Sequence, residues 1–256
     1  MRGIAIGRDR PIHLHLIGAF TLHVDGTRVH LGRREERLLA FLAMHGASHR
    51  PYVAGMLWPN SDDARASSSL RAAVLKVRRA APNLLDVDGS TLTLRTGVVV
   101  DLVEVVDCAE RIVLHESVDA ERAECLLGTG ELLPGWYDDW VIFERERLQH
   151  RRIRALETLA VTALDEGDPD LALAAARDAI SLEPLRESAR RLLIRAHVTL
   201  GNRAMAATAF AEYRHDLARD LGIEPSPEFL EEVRVGVGDR TPNGSPARPL
   251  HRRAGS

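Results

Sequence analysis

The chain has 256 residues, 45% of them apolar and 28% charged, with a net charge of −3. That is the composition of a globular protein long enough for two domains. Its single lysine, Lys76, follows Leu75 and not a glycine, which excludes a Walker A loop and speaks against a Schiff-base enzyme.

The charge is unevenly spread. Residues 1–105 hold 14 Lys+Arg against 10 Asp+Glu, and the remainder 20 against 27. A mildly basic front and an acidic rear point to separate partners. The opening MRGIAIGRDRP breaks its apolar run with Arg8, Asp9 and Arg10, so no signal peptide is read. No stretch approaches the roughly 18 apolar residues of a membrane span, and a cytoplasmic location with no membrane partner is expected.

Residues 12–31 read as strands. Ile12, Leu14 and Leu16 alternate with His13 and His15, and Phe20 to Val24 run into Asp25-Gly26, a turn pair suited to positive φ. His13, His15, His23 and His30 are strand-surface residues; no carboxylate or second close pair completes a metal site. Residues 33–45 predict a helix ended by Gly46, with Leu38, Leu39, Phe41 and Leu42 buried and Arg33, Arg34 and Arg37 in water. A short helix over 52–58 stops at Pro59-Asn60.

The segment 61–81, SDDARASSSLRAAVLKVRRAA, follows. At about 100° per residue, Ala66, Leu70, Ala73, Val74 and Val77 share one face. Arg65, Ser68, Ala72, Leu75, Lys76 and Arg79 share the opposite one, with Arg71 and Arg78 on the flanks. Ser61 or Asp62 caps its start. Small front residues let a helix approach a groove wall while flanking guanidinium groups reach phosphates. A second hairpin, Leu84 to Leu94, turns at Asp88-Gly89.

The rear of the chain is read as helical from Asp107, with helices over 109–114 and 119–127. Cys108 and Cys125 lack zinc-type spacing and are taken as structural thiols. Trp136 and Trp140, four apart, fit packing in the core or at a domain interface better than a sugar or base site. Asp138 and Asp139 are adjacent and so diverge on a helix, which favours capping over a catalytic pair. From Ile153 a 34-residue repeat matches Leu159 with Leu193, Gly167 with Gly201, Ala172 with Ala206 and Ala176 with Phe210, a tetratricopeptide pattern. Tyr213 and Ala218 depart from it. A last helix is expected from Glu228 to about Val235, and residues 237–256 have the composition of a disordered tail.

Strands, helix, short helix, capped helix and hairpin make a winged helix whose third helix enters the major groove. The leading sheet resembles the OmpR type. The motif LWPNSDDARASSSLRAAVLKVRR, with GWYDDW, EPLRESARRLLIRAH and LGIEPSP further on, resembles the AfsR/SARP regulators, antibiotic regulatory proteins of filamentous actinobacteria. The resemblance covers about residues 12–236.

It implies an α+β winged helix-turn-helix domain over 12–105, followed by an all-α tetratricopeptide-like bacterial transcriptional activator domain over 106–236. Members bind direct repeats of double-stranded DNA near promoters as homodimers and contact RNA polymerase holoenzyme, without a cofactor. Carried over by position, Ser68, Arg71, Ala72, Lys76, Arg78 and Arg79 face DNA, with Arg65 beside them. Lys76 stands where arginine is more usual, and Thr93 where many wings carry an arginine, which shifts wing anchoring to Arg95. The alternative is an interaction module whose winged helix binds DNA weakly. Nucleophile elbow, HExxH and phosphate-loop motifs are absent, so no enzyme is read.

Overall fold

The computed structural model of the chain describes residues 11–114 and 125–237. The tail from residue 238 and most of the helix expected over 119–127 lie outside the described residues.

Strand β1 (Ile12–His15) pairs antiparallel with β2 (Thr21–Val24), which pairs with β3 (Thr27–Val29). Asp25 (φ 55°) and Gly26 (φ 72°) form the two-residue turn, a left-handed pair matching the twist of the strands it joins. Helix α1 (Arg33–His45) buries Leu38, Leu39, Phe41 and Leu42, and Gly46 ends it at φ 66°. Arg37 departs from the expectation. It is largely covered, and Nη2 donates to Asp138 Oδ1 at 2.5 Å.

Strand β4 (Ser48–His49) leads into α2 (Arg50–Leu57), α3 (Asp63–Ala80) and the hairpin β5 (Leu85–Asp88) and β6 (Thr91–Leu94). These strands form a sheet ordered β4-β6-β5. Asp88 pairs with Thr91, so the turn residues are Gly89 and Ser90, one position later than expected, and only Gly89 has positive φ. Strand β7 (Val98–Val100) returns to pair parallel with β1, completing a sheet ordered β3-β2-β1-β7.

Helix α4 (Asp101–Val113) begins six residues before the helical start read at Asp107. The Asp101 carboxylate accepts from Leu16 N (2.8 Å), Ile17 N (3.0 Å) and Leu102 N (2.7 Å), fixing the helix start at the end of β7. Leu102, Val105, Ala109 and Ile112 then line one face at helical spacing. Cys108 on α4 is bonded to Cys125, Sγ–Sγ 2.00 Å, where two separate thiols are expected from the sequence. A chain separation of 17 residues gives no sign that folding brings their Cα atoms to 6.9 Å.

The approach to the rear helices is stitched to the front sheet. Gly18 N donates to Glu131 O and Leu133 N to Leu16 O, both at 2.8 Å. From the other side Arg145 donates to the carbonyls of Leu132, Leu133 and Trp136, and Arg152 to that of Thr129. Helix α5 (Asp139–Glu166) follows, then α6 (Pro169–Leu182), α7 (Glu187–Thr199), α8 (Arg203–Asp220) and α9 (Pro227–Val237). Asp138 stands before α5, yet its carboxylate goes to Arg33 and Arg37 instead of capping the helix.

The repeat is realised as two helix pairs. Gly167 (φ 82°) and Gly201 (φ 75°) reverse the chain after α5 and α7, and Ala172 and Ala206 are fully buried where the helices meet. Tyr213, where the repeat has a small residue, is buried beside Phe229 with ring centroids 5.8 Å apart. It fills the space between α8 and α9. The architecture is a winged helix followed by a tetratricopeptide-like helical region.

Front and rear share one hydrophobic core. Phe20 stacks on Trp136 at 6.0 Å, Phe41 meets Trp140 edge-on at 5.4 Å, and the Arg33 guanidinium lies 3.5 Å over the Trp136 ring. The two tryptophans therefore pack at the junction between the two halves.

Candidate nucleic-acid interface

Helix α3 is held from behind. Ala66, Leu70, Ala73, Val74 and Val77 are buried, the five residues that its periodicity selects. In front of the helix Asp62 caps it: Arg65 N donates to Asp62 Oδ1 at 2.8 Å. Arg78 and Arg79 occupy the last turn, where the negative end of the helix dipole favours cations.

Arg65, Ser68, Arg71, Ala72, Lys76, Arg78 and Arg79 are all exposed, and Leu75 joins them at 50% exposure. Their charges are not equally available. Arg65 Nε lies 3.4 Å from Asp62 Oδ2, so the capping residue also engages this guanidinium. Lys76 Nζ lies 3.5 Å from Glu35 Oε1, and the Glu35 side chain is only 4% exposed. Arg71, Arg78 and Arg79 make no ion pair among the described residues. They are the cations free to meet an anion.

Glu35 is the residue that the sequence reading passes over. It belongs to the buried stripe of α1, since Leu38, Leu39 and Leu42 follow at i+3, i+4 and i+7. A Cβ on Gly32 would lie 2.5 Å from Glu35 Oε2, so the glycine leaves room for the carboxylate. That spacing was the available signal.

The hairpin brings a different charge. Asp86 and Asp88 are exposed on β5, and Gly89 and Ser90 at the turn are uncharged. Ser90 O accepts from Arg50 N at 2.8 Å, tying the hairpin turn to the start of α2. Arg95 lies at the other end: its N donates to Leu84 O at 2.9 Å, just beyond the Leu85–Leu94 pair. A four-residue strand at about 3.4 Å per residue separates it from the turn by roughly 14 Å. The geometry therefore gathers the α3 residues on one surface and leaves Arg95 at the hairpin base. Thr93 Oγ1 donates to Leu94 O at 3.2 Å.

Among the described residues no group of His, Cys, Asp and Glu is arranged to hold a metal ion, and no helix is long and apolar enough to cross a membrane. His13 and His23 face each other across β1 and β2, and His15 Nδ1 lies 3.6 Å from Asp101 Oδ2.

Residues 109–234 match the bacterial transcriptional activator domain family. Regulatory protein AfsR of Streptomyces coelicolor is 32% identical over 124 residues, and that of Streptomyces griseus 31% over 124. Each alignment covers 48% of this chain but 12% of the relative, so the match spans about an eighth of those proteins. The structure of Mycobacterium tuberculosis EmbR in complex with a low affinity phosphopeptide superposes with a TM-score of 0.68 at 19% identity, over 89% of this chain and 65% of that one. That likeness bears on the fold. The activator-domain match, over just under half of this chain, and the two AfsR relatives agree on the same region: there the chain is similar to the bacterial transcriptional activator domain of AfsR-type regulators.

Proposed function

We propose that the chain is a sequence-specific DNA-binding transcriptional activator: α3 enters the major groove of direct repeats near promoters, two chains bind as a dimer, and the tetratricopeptide-like region contacts RNA polymerase holoenzyme. One observation carries this reading. A capped, firmly backed 18-residue helix presents three unpaired arginines, Arg71, Arg78 and Arg79, around the small residues Ser68 and Ala72. Small residues permit close approach to base edges and guanidinium groups hold phosphates or guanine. The regulator family supports the same direction.

With Lys76 engaged by Glu35 and Arg65 by Asp62, few side chains remain to hydrogen-bond bases. Leu75 and Ala72 offer apolar contact to thymine methyl groups, and the site is read in good part through DNA shape and repeat spacing.

A mobility-shift titration on the DNA upstream of the chain's own gene, over a salt series, tests this. Arg79→Ala and Arg71→Ala are each expected to weaken binding, by about 1–3 kcal/mol for a guanidinium that reads a base, and with a salt slope smaller by about 1 for one that holds a phosphate. Unchanged binding in both variants would remove this face as the DNA surface. A second reading is favoured by Asp86 and Asp88: an acidic hairpin repels phosphates, as in an interaction module that binds DNA weakly. Under that reading even the parent chain gives no shift above that of non-specific DNA.

A further inference from the structure

The helical rear contains a cleft of about 570 Å³ between α5, α7 and α9 that the DNA reading does not use. Its walls follow the 34-residue repeat. Two chain reversals make α5 and α7 run in the same direction, and the 34-residue offset of the repeat pairs Arg154 with Ser188, Thr158 with Leu192, and Val161 with Arg195.

The acids at this cleft are already engaged. Glu157 takes a two-pronged hydrogen bond from Arg186 (2.7 and 3.0 Å) and one from the Ser188 hydroxyl. Burial pushes the Glu187 carboxyl up, but the backbone N–H and hydroxyl of Ser226, with Arg191, outweigh it and hold the group below its ordinary range. Arg191 also reaches Glu232 at 3.5 Å. Arg154 and Arg195 are exposed and make no ion pair among the described residues.

The two uncompensated charges therefore lie on opposite walls, seven residues apart along parallel helices. At about 1.5 Å per residue that is roughly 10 Å along the cleft. Between them lie Val161, 39% exposed, and buried Leu192.

We infer that this cleft is a docking site for an extended acidic peptide segment of a partner protein, with two carboxylates three positions apart and an apolar residue between. In a polyproline-type chain, positions i and i+3 lie on one side at about 9 Å, and two long arginine side chains reaching inward from opposite walls can each meet one of the two carboxylates. The inference stands apart from the DNA reading, because no α3 residue lines the cleft.

Fluorescence anisotropy with the full chain and labelled hexapeptides tests it. GDLPDG is expected to bind saturably and about tenfold more tightly than GNLPNG, and more tightly than GLDDPG, whose aspartates are adjacent. The R154E/R195E double variant should lose this binding, and R154K/R195K should keep part of it. The DNA mobility shift should be the same in both. Equal binding of the three peptides overturns the proposal, as does unaltered GDLPDG binding by R154E/R195E. Loss of the DNA shift in that variant also overturns it, by assigning the two arginines to nucleic acid.

Discussion

Lys76 is the single lysine of the chain and lies opposite the one buried carboxylate of α1. A buried charge whose partner is removed costs far more than the pair contributes when intact. Lys76→Ala is therefore expected to destabilise the front half by more than an exposed substitution would, in addition to any effect on DNA. Lys76→Ala combined with Glu35→Gln should recover most of the lost melting temperature. If the double variant melts as low as the single one, the ion pair is not what holds α3 against α1. His45 gives a second prediction at this scale. Burial lowers its pKa, Glu144 raises it and Arg147 lowers it, with a net depression, and the buried Nε2 has no hydrogen-bond partner. The unfolded chain then binds the proton more readily, so stability is fullest above the ordinary value of about 6.5 and falls as pH drops below it. His197 is depressed by burial too and adds to the same slope. Melting temperatures measured from pH 7.5 to 5, for the parent and for His45→Phe, should show a shallower acid decline in the variant.

At the level of elements, the cap and the hairpin make the sharpest statements. Asp62→Ala removes the acceptor for Arg65 N and is expected to cost about 1 kcal/mol of stability, read by urea denaturation. The same change frees the Arg65 guanidinium, so DNA affinity per folded molecule should rise slightly. Asp86→Asn with Asp88→Asn removes like charge facing phosphates and should tighten DNA binding, with a steeper salt dependence. An unchanged affinity would place the hairpin away from the duplex. Most of α3 is visible in its sequence because a 3.6-residue period and five apolar residues suffice to fix its buried face. The turn at Asp25-Gly26 and the stop at Gly46 are equally local. The ion pairs of Lys76 and Arg65 differ: one joins α3 to α1 across the fold, and periodicity contains no such information. The early start of α4 depends on a carboxylate meeting amides 85 positions away. The hairpin turn falls one residue late because pairing of β6 with β4 sets the register, which the dipeptide Asp88-Gly89 does not encode.

Across the whole molecule, the junction is formed by aromatic packing and half-buried ion pairs contributed from both halves. Trp140 touches Phe41 and approaches His45 at 6.4 Å, and Asp138 binds Arg37. Trp140→Ala is expected to cost about 3–5 kcal/mol. It should also lower the melting temperature of both halves together, since one core spans them. Two separate calorimetric transitions in the parent would contradict a shared core. The sequence pointed to tryptophan packing at Trp136 and Trp140; their partners at Phe20, Arg33 and Phe41 are more than 90 residues away and emerge only in three dimensions.

Helix α1 touches both sides of this junction: Glu35 holds α3 through Lys76, while Arg33, Arg37 and Phe41 hold the start of α5. A dimer built through the rear halves would thus behave as a calliper with fixed jaws, its opening set by the rear contact and not by any slack between the halves. Lengthening the gap between two repeats by about 5 base pairs, half a helical turn, should turn one jaw away from its groove and abolish paired binding. About 10 further base pairs in place of 5 should restore the facing but leave the reach too short. A flexible tether would tolerate both insertions, so the pattern of loss reads the stiffness of the paired assembly, junction and rear contact together.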